Sequence, residues 1–322
     1  MKIILFFLLS AYSTYGQVTN LQEKKFIVKD SLTNEILPFS NIDFGNGYGL
    51  FADNEGKVKL KINCSDIIKI THIGYENKII KLQNIKDEVY LKPNYINLDE
   101  IKITSFKRKK ILTNIKPLIH NDIYKMVWSA IAQQYAFLIS YDNPNSFLKT
   151  ITIPIIEKDF NQITREGAFK KQDFKTMLRI ELYSNDGGIP KQKLNDFEQI
   201  AIIDSKKIKK KFELLLKEQI EIPKGGFFIV YTILGRVDEN ENYISEIPYD
   251  ENYVNGTKKK FLKLILPDYP LVEDPQGVLT FFRYQFSENN NWERIKKPMI
   301  YSKNKDYPFF NIGFGYSIIQ YN

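Results

Sequence analysis

Residues 70–82, ITHIGYENKIIKL, hold one of only two histidines in the 322-residue chain, with Glu76 four positions after His72. On a helix the two side chains would share a face and could grip one zinc ion. On a strand they stand roughly 13 Å apart, at about 3.3 Å per residue, too far for metal bonds of about 2 Å. The composition decides for the strand. Residues 67–73 are rich in β-branched side chains, and alternation puts Ile68, Ile70 and His72 on one face and Lys69, Thr71 and Ile73 on the other. Gly74 then marks a bulge or close backbone approach that admits the ring of Tyr75.

The same pattern extends in both directions. From residue 25 to 91, the runs FIVKD, SNIDF, KVKLKI, DIIKITHI, NKIIKL and EVYLK are separated by Asn, Gly and Asp clusters about ten residues apart. That spacing predicts a small antiparallel sandwich. In ADNEGKVKL, Asp53, Asn54 and Gly56 suit a tight turn, after which alternation resumes at Val58 and Leu60. Asp53-x-Glu55-Gly56 is a faint calcium-loop pattern, but it lacks the further oxygen ligands at alternate positions that calcium needs. It reads as a hairpin.

The order FIVKDSLTNEILPFSNIDF, GYGLFADNEGKVKL and IIKITHIGYENKIIKL resembles the carboxypeptidase-regulatory-like domain of Gram-negative envelope proteins. Asp30, Leu37, Pro38, Asp53, Gly56, Ile73, Gly74 and Tyr75 match its pattern. Ala52 stands where the family usually has Thr, and His72 where an aromatic is common. The resemblance implies a transthyretin-like β-sandwich of about seven strands, with no peptidase active site and a structural or interaction role.

Beyond this module, residues 98–103 read as a last strand and 104–117, basic and ending at Pro117, as a linker. In 120–138, Tyr124, Trp128 and Ile131 fit a helical face, but the second half reads as a strand from 134 to 141, turned by DNPNS into another from 147. The runs KTMLRIELY, FELLLKEQIEI, GGFFIVYTIL, FLKLIL and GVLTFFRYQFS follow, each bounded by Pro or Gly. The fold class expected is therefore all-β: a transthyretin-like sandwich over 17–103 and a larger, jelly-roll-like antiparallel sandwich over 118–322. Tyr183, Asp186, Gly187, Pro190, Pro223, Gly225 and Gly226 resemble the second sandwich found downstream of such modules in envelope proteins, and no activity comes with that resemblance.

Residues 1–16, with Lys2, an apolar run from Ile3 to Leu9 and Thr14-x-Gly16, read as a signal peptide cleaved before Gln17, so export is expected, to the periplasm or outer-membrane surface of a Gram-negative bacterium. No later apolar run reaches the about 18 residues of a transmembrane helix. The single cysteine, Cys64, permits no intramolecular disulfide. The formal charge is +8, with basic clusters at 107–110, 206–211 and 258–260. They lack interleaved aromatics, so they read as solvated loops and not as a nucleic-acid surface.

No Gly-x-Ser-x-Gly elbow, phosphate loop, His-Glu-x-x-His or cysteine pair occurs. With only His72 and His120 as histidine bases, no catalytic, cofactor-binding or metal-binding residue is assigned, and His120 reads as a loop or cap residue. The expectation is a non-catalytic exported envelope scaffold or interaction protein with a protein or polysaccharide partner. The alternatives are a carbohydrate-binding protein using exposed aromatics of the second sandwich, 20 tyrosines being available, and a glycosidase built on two carboxylates.

Overall fold

A computed structural model describes residues 23–45, 47–61, 66–94, 110–122, 125–127, 129–156, 173–244, 249–254, 257–262, 266–273, 278–296 and 309–321. The expected signal segment, its cleavage point, the strand at 98–103 and the basic run at 107–109 lie outside these residues. Among the described residues the regular secondary structure is strand apart from one 3-10 turn, Leu82–Asn84, and the strands form several mostly antiparallel sheets. No described segment forms a helix long and apolar enough to cross a membrane.

The first unit has seven strands: β1 (Glu23–Asp30), β2 (Asn41–Gly45), β3 (Tyr48–Phe51), β4 (Lys57–Lys61), β5 (Ile67–Thr71), β6 (Lys78–Lys81) and β7 (Glu88–Leu91). They form sheets of order β4-β1-β7 and β3-β2-β5-β6. The alternation does what its period demands: Phe26, Val28, Val58, Leu60, Ile68, Ile70, Val89 and Leu91 point into one shared core. One detail departs from the expected antiparallel sandwich, since β1 pairs with β7 in parallel. The Asp53 hairpin forms as read. Its Oδ1 accepts the amides of Glu55 and Lys57 at 2.9 and 2.8 Å, and Gly56 takes φ 69°, so this carboxylate serves the turn.

The second unit begins inside the stretch read as linker. Lys110–Ile115 is a strand (β8) paired along its length with the C-terminal strand. β9 (Met126–Val127), β10 (Gln133–Ile139), β11 (Ser146–Pro154), β12 (Lys175–Asp186), β13 (Ile189–Asp204), β14 (Lys211–Glu221), β15 (Phe227–Val237) and β16 (Tyr243–Ile244) follow. After a separate hairpin of β17 (Tyr249–Val254) and β18 (Thr257–Leu262) come β19 (Tyr269–Val272), β20 (Thr280–Tyr284), β21 (Glu293–Lys296), β22 (Phe309–Ile312) and β23 (Gly315–Tyr321).

One sheet runs β13-β12-β15-β10-β20-β21-β22-β19-β9, with β16 on β15, and the other runs β14-β11-β23-β8. Tyr135, Phe137 and Ile229 of the first meet Leu148, Ile151 and Ile318 of the second in the main core. The hairpin between β12 and β13 turns on Gly187 and Gly188, at φ 61° and 86°, the left-handed pair that a two-residue hairpin prefers.

The two units are docked. Phe39 and Phe51 of the first join Met177, Leu234, Val237 and Phe286 of the second in one buried cluster, with the Phe51 and Phe286 ring centres 5.5 Å apart. Gly49 makes this approach possible, because a Cβ there would lie 2.5 Å from the Phe286 ring. The Asn54 side chain, on the Asp53 hairpin, accepts the Tyr243 amide at 3.0 Å.

Candidate functional site

Beside this apolar contact the two units leave a cleft of about 840 Å³. Its first-unit wall comes from β2, from the end of β5 with the turn after it, and from Asp30 at the end of β1. Its second-unit wall comes from β10, β12, β13 and β20 with the loop that follows.

The second-unit wall is built on strict alternation in LRIELY. Leu178, Ile180 and Leu182 enter the main core, so Arg179, Glu181 and Tyr183 must emerge on the opposite face. That face is covered, and Arg179 and Glu181 are 3% and 2% exposed. Arg179 links the units: its Nη1 donates to the Phe39 carbonyl at 3.0 Å, and its Nη2 to Asn41 Oδ1 at 2.8 Å and Gln285 Oε1 at 3.2 Å. Its Nε lies 3.4 Å from Glu181 Oε1 and 4.0 Å from Glu198 Oε2. Lys193, opposite on β13, donates to the same Glu181 oxygen.

Burial alone would raise the Glu181 carboxyl, but Arg179 and then Lys193 outweigh it and hold it below the ordinary range. Glu198, in register with Glu181, is pushed up by burial. Arg283 donates through Nε to Gln134 at 2.6 Å and through Nη2 to the Tyr183 hydroxyl at 3.1 Å, and lies 4.1 Å over the Trp292 ring.

His72 faces this charged wall. The strand read as running to residue 73 ends at Thr71, and His72 opens a turn in which the Tyr75 amide donates to the His72 carbonyl at 3.2 Å and Gly74 adopts φ 75°. Gly74 therefore serves a turn and not a bulge. Ser40 Oγ donates its single proton to the Leu37 carbonyl at 2.8 Å, so at the 3.1 Å contact His72 Nδ1 is the donor and Nε2 carries the lone pair. Glu76 is exposed and pairs with Lys92 at 2.9 Å, on no common site with His72. Tyr75 sends its hydroxyl to Asp30 Oδ2 at 2.7 Å.

Both nitrogens of His120 are engaged, Nε2 donating to the Leu271 carbonyl at 2.9 Å and Nδ1 accepting the Asp122 amide at 3.1 Å, so it braces a loop. No group of three or more metal-ligating side chains stands together among the described residues.

Burial first, then the charges of Arg179 and Lys193, push the His72 pKa down from 6.5 to about 4. A histidine more easily protonated in the unfolded chain stabilises the fold fully above pH 6.5, and that contribution drains away as pH falls toward 4. Wild type is therefore expected to lose more stability than His72→Gln between pH 7 and 4, measured as urea midpoints of both proteins. Parallel loss in the two would refute it.

No protein-family model and no curated protein matches the chain. Among solved structures, a clostridial cysteine protease, Cwp84 after propeptide cleavage, aligns at 14% identity over 66% of this chain and 40% of that one, with a TM-score of 0.29. The cysteine protease and lectin-like domains of Cwp84, a surface-layer-associated protein of Clostridium difficile, align at 9% identity over 89% of this chain and 59% of that one, with a TM-score of 0.33. The chain spans less than two thirds of either, and likeness at this level carries no argument about activity.

Proposed function

We propose that this chain is an exported, non-catalytic envelope interaction protein that holds a polysaccharide partner in the cleft between its two sandwiches. The observation that carries this reading is the cleft itself: a concavity in the size range of ligand sites, walled by amide, hydroxyl and charged groups that are held by one another. Arg179, Gln134, Gln285 and Asn41 each have a fixed partner, so the wall offers hydrogen bonds at set positions. Such preorganisation lowers the entropic cost of binding a polar chain.

The Glu181 and Glu198 pair supports holding over cleavage. A glycosidase needs two carboxyl groups facing each other across the scissile bond. Here Glu181 and Glu198 both stand within 4.0 Å of the same Arg179 nitrogen, which supports a charge-pairing role for them. His72, the base nearest the cleft, meets a serine that is fully buried and already donating to Leu37. Export and envelope location rest on the leader-like N-terminus and on the resemblance of the first module.

The test is cosedimentation of the purified protein with insoluble envelope polysaccharide, together with an assay for new reducing ends. Ser287→Trp, which places an indole in the cleft, is expected to cut retention about ten-fold, with no reducing ends released by either protein. Retention unchanged by Ser287→Trp would place binding elsewhere. Reducing ends that vanish in Glu181→Gln would make the protein an enzyme.

A further inference from the structure

The deep part of the cleft is unequally charged. Arg179, Lys193 and Arg283 converge there, and the acid among them that lines the cleft, Glu181, takes both Arg179 and Lys193 on one oxygen. Arg283 has no carboxylate within 4.0 Å among the described residues; its partners are the neutral Gln134, Tyr183 and the Asn290 carbonyl. The other acids of the lining are differently placed. Asp30 is satisfied by Tyr75 and by the amides of Leu32 and Thr33, Asp43 accepts the Gly45 amide and stands in register with the exposed Lys69, and Glu288 is exposed.

Arg283 feels the Glu181 carboxylate only from beyond 4.0 Å, and that carboxylate already faces two nearer cations, so the half-buried guanidinium is incompletely compensated, because hydrogen bonds to neutral groups do not replace a counter-charge removed from water. His72 stays neutral beside the same cations, so nothing further is added to the excess.

Resting on the polysaccharide reading above, we propose that the cleft selects an acidic glycan, seating a sugar carboxylate against Arg283, with Lys193 and Arg179 behind it. The N–H groups that Asn290 and Tyr183 leave on Nη1 and Nη2 suit a carboxylate, and the Trp292 ring, 4.1 Å from the guanidinium, holds it in place. Asn41 and Gln285 already accept from Arg179, and Asn41 Nδ2 donates to Thr71 Oγ1 at 2.8 Å, so the Thr71 hydroxyl proton and the Gln285 amide N–H groups are what this wall offers to ring hydroxyls.

The experiment is titration calorimetry of the full chain with oligomers of galacturonate, mannuronate and glucuronate, each against the galactose, mannose or glucose oligomer of equal length, and with inorganic phosphate. At least one acidic oligomer is expected to bind ten-fold or more tightly than its neutral counterpart, and to weaken as salt rises. Arg283→Gln should abolish that preference, bringing the acidic oligomer's affinity down to that of the neutral one. Lys193→Gln, at a partly exposed position, should reduce it as well and covers the case in which Arg283→Gln does not fold. Equal or tighter binding of neutral oligomers overturns the acidic assignment and leaves the polysaccharide reading intact. Absence of binding by any oligomer overturns both. Phosphate that binds as tightly as the acidic oligomer and displaces it overturns the sugar carboxylate in favour of a simple anion site.

Discussion

Arg179→Met is expected to destabilise the protein by about 3 to 5 kcal/mol, the usual cost of removing one partner from a buried ion pair and leaving the other charged. The residue left behind is Glu181, 2% exposed, with Lys193 its remaining cation within 4.0 Å. The substitution also strips the Phe39 carbonyl and Asn41 of their donor from across the interface, so part of the loss should appear as loosened docking.

Two measurements separate these effects. Urea unfolding gives the total, and amide exchange at β2 and β12 reports whether the interface opens before either core. Because the penalty comes from an orphaned charge, adding Glu181→Met should restore a large part of the stability, so the two substitutions should be strongly non-additive. A cost below about 1 kcal/mol, or simple additivity, would mean that Arg179 is not the link its geometry makes it.

Gly226→Ala should be comparably damaging for a different reason. Gly226 has φ 76°, where an added Cβ costs about 1 to 2 kcal/mol from backbone sterics alone. Here that Cβ would also lie 2.2 Å from the Ile139 carbonyl oxygen and 3.0 Å from Ser140 Cα. Both are backbone atoms beside a packed core strand, and they cannot rotate away. A total loss above about 3 kcal/mol is expected, since overpacking strain adds to the conformational cost.

Gly225 supplies the control. It has φ 85° but no atom within 4 Å of its would-be Cβ, so Gly225→Ala should show the conformational part only. Equal urea midpoints for the two variants would remove the contact argument.

These two glycines show how much was legible beforehand. Pro and Gly bounding the run GGFFIVYTIL marked where a strand starts, because such punctuation is local and written in residue type. Which glycine tolerates a side chain was not legible, since the answer depends on β10, a strand almost ninety positions earlier. The strand inside the stretch read as linker was hidden for a similar reason. Residues 110–115 carry little apolar alternation and stand beside a basic run, yet they are held as a strand by backbone pairing to β23, two hundred residues later. β13, the longest strand, also went unread because its polar residues obscure the period.

What the sequence determined by itself is the all-β class, most strand positions of the first unit, the Asp53 hairpin, and the strand character of the stretch around His72. All of these follow from period-two alternation and turn-residue preferences, which operate within a few residues. What only the tertiary structure decided is the cleft and its chemistry. In LRIELY, alternation correctly assigns Arg179, Glu181 and Tyr183 to the face away from the core, and by local rules such a face belongs to solvent. It is buried because the first unit docks upon it, bringing Phe39, Asn41 and His72 against it from more than a hundred residues away. Burial turns those polar side chains into a connected charge cluster, since removal from water makes each charge depend on its neighbours.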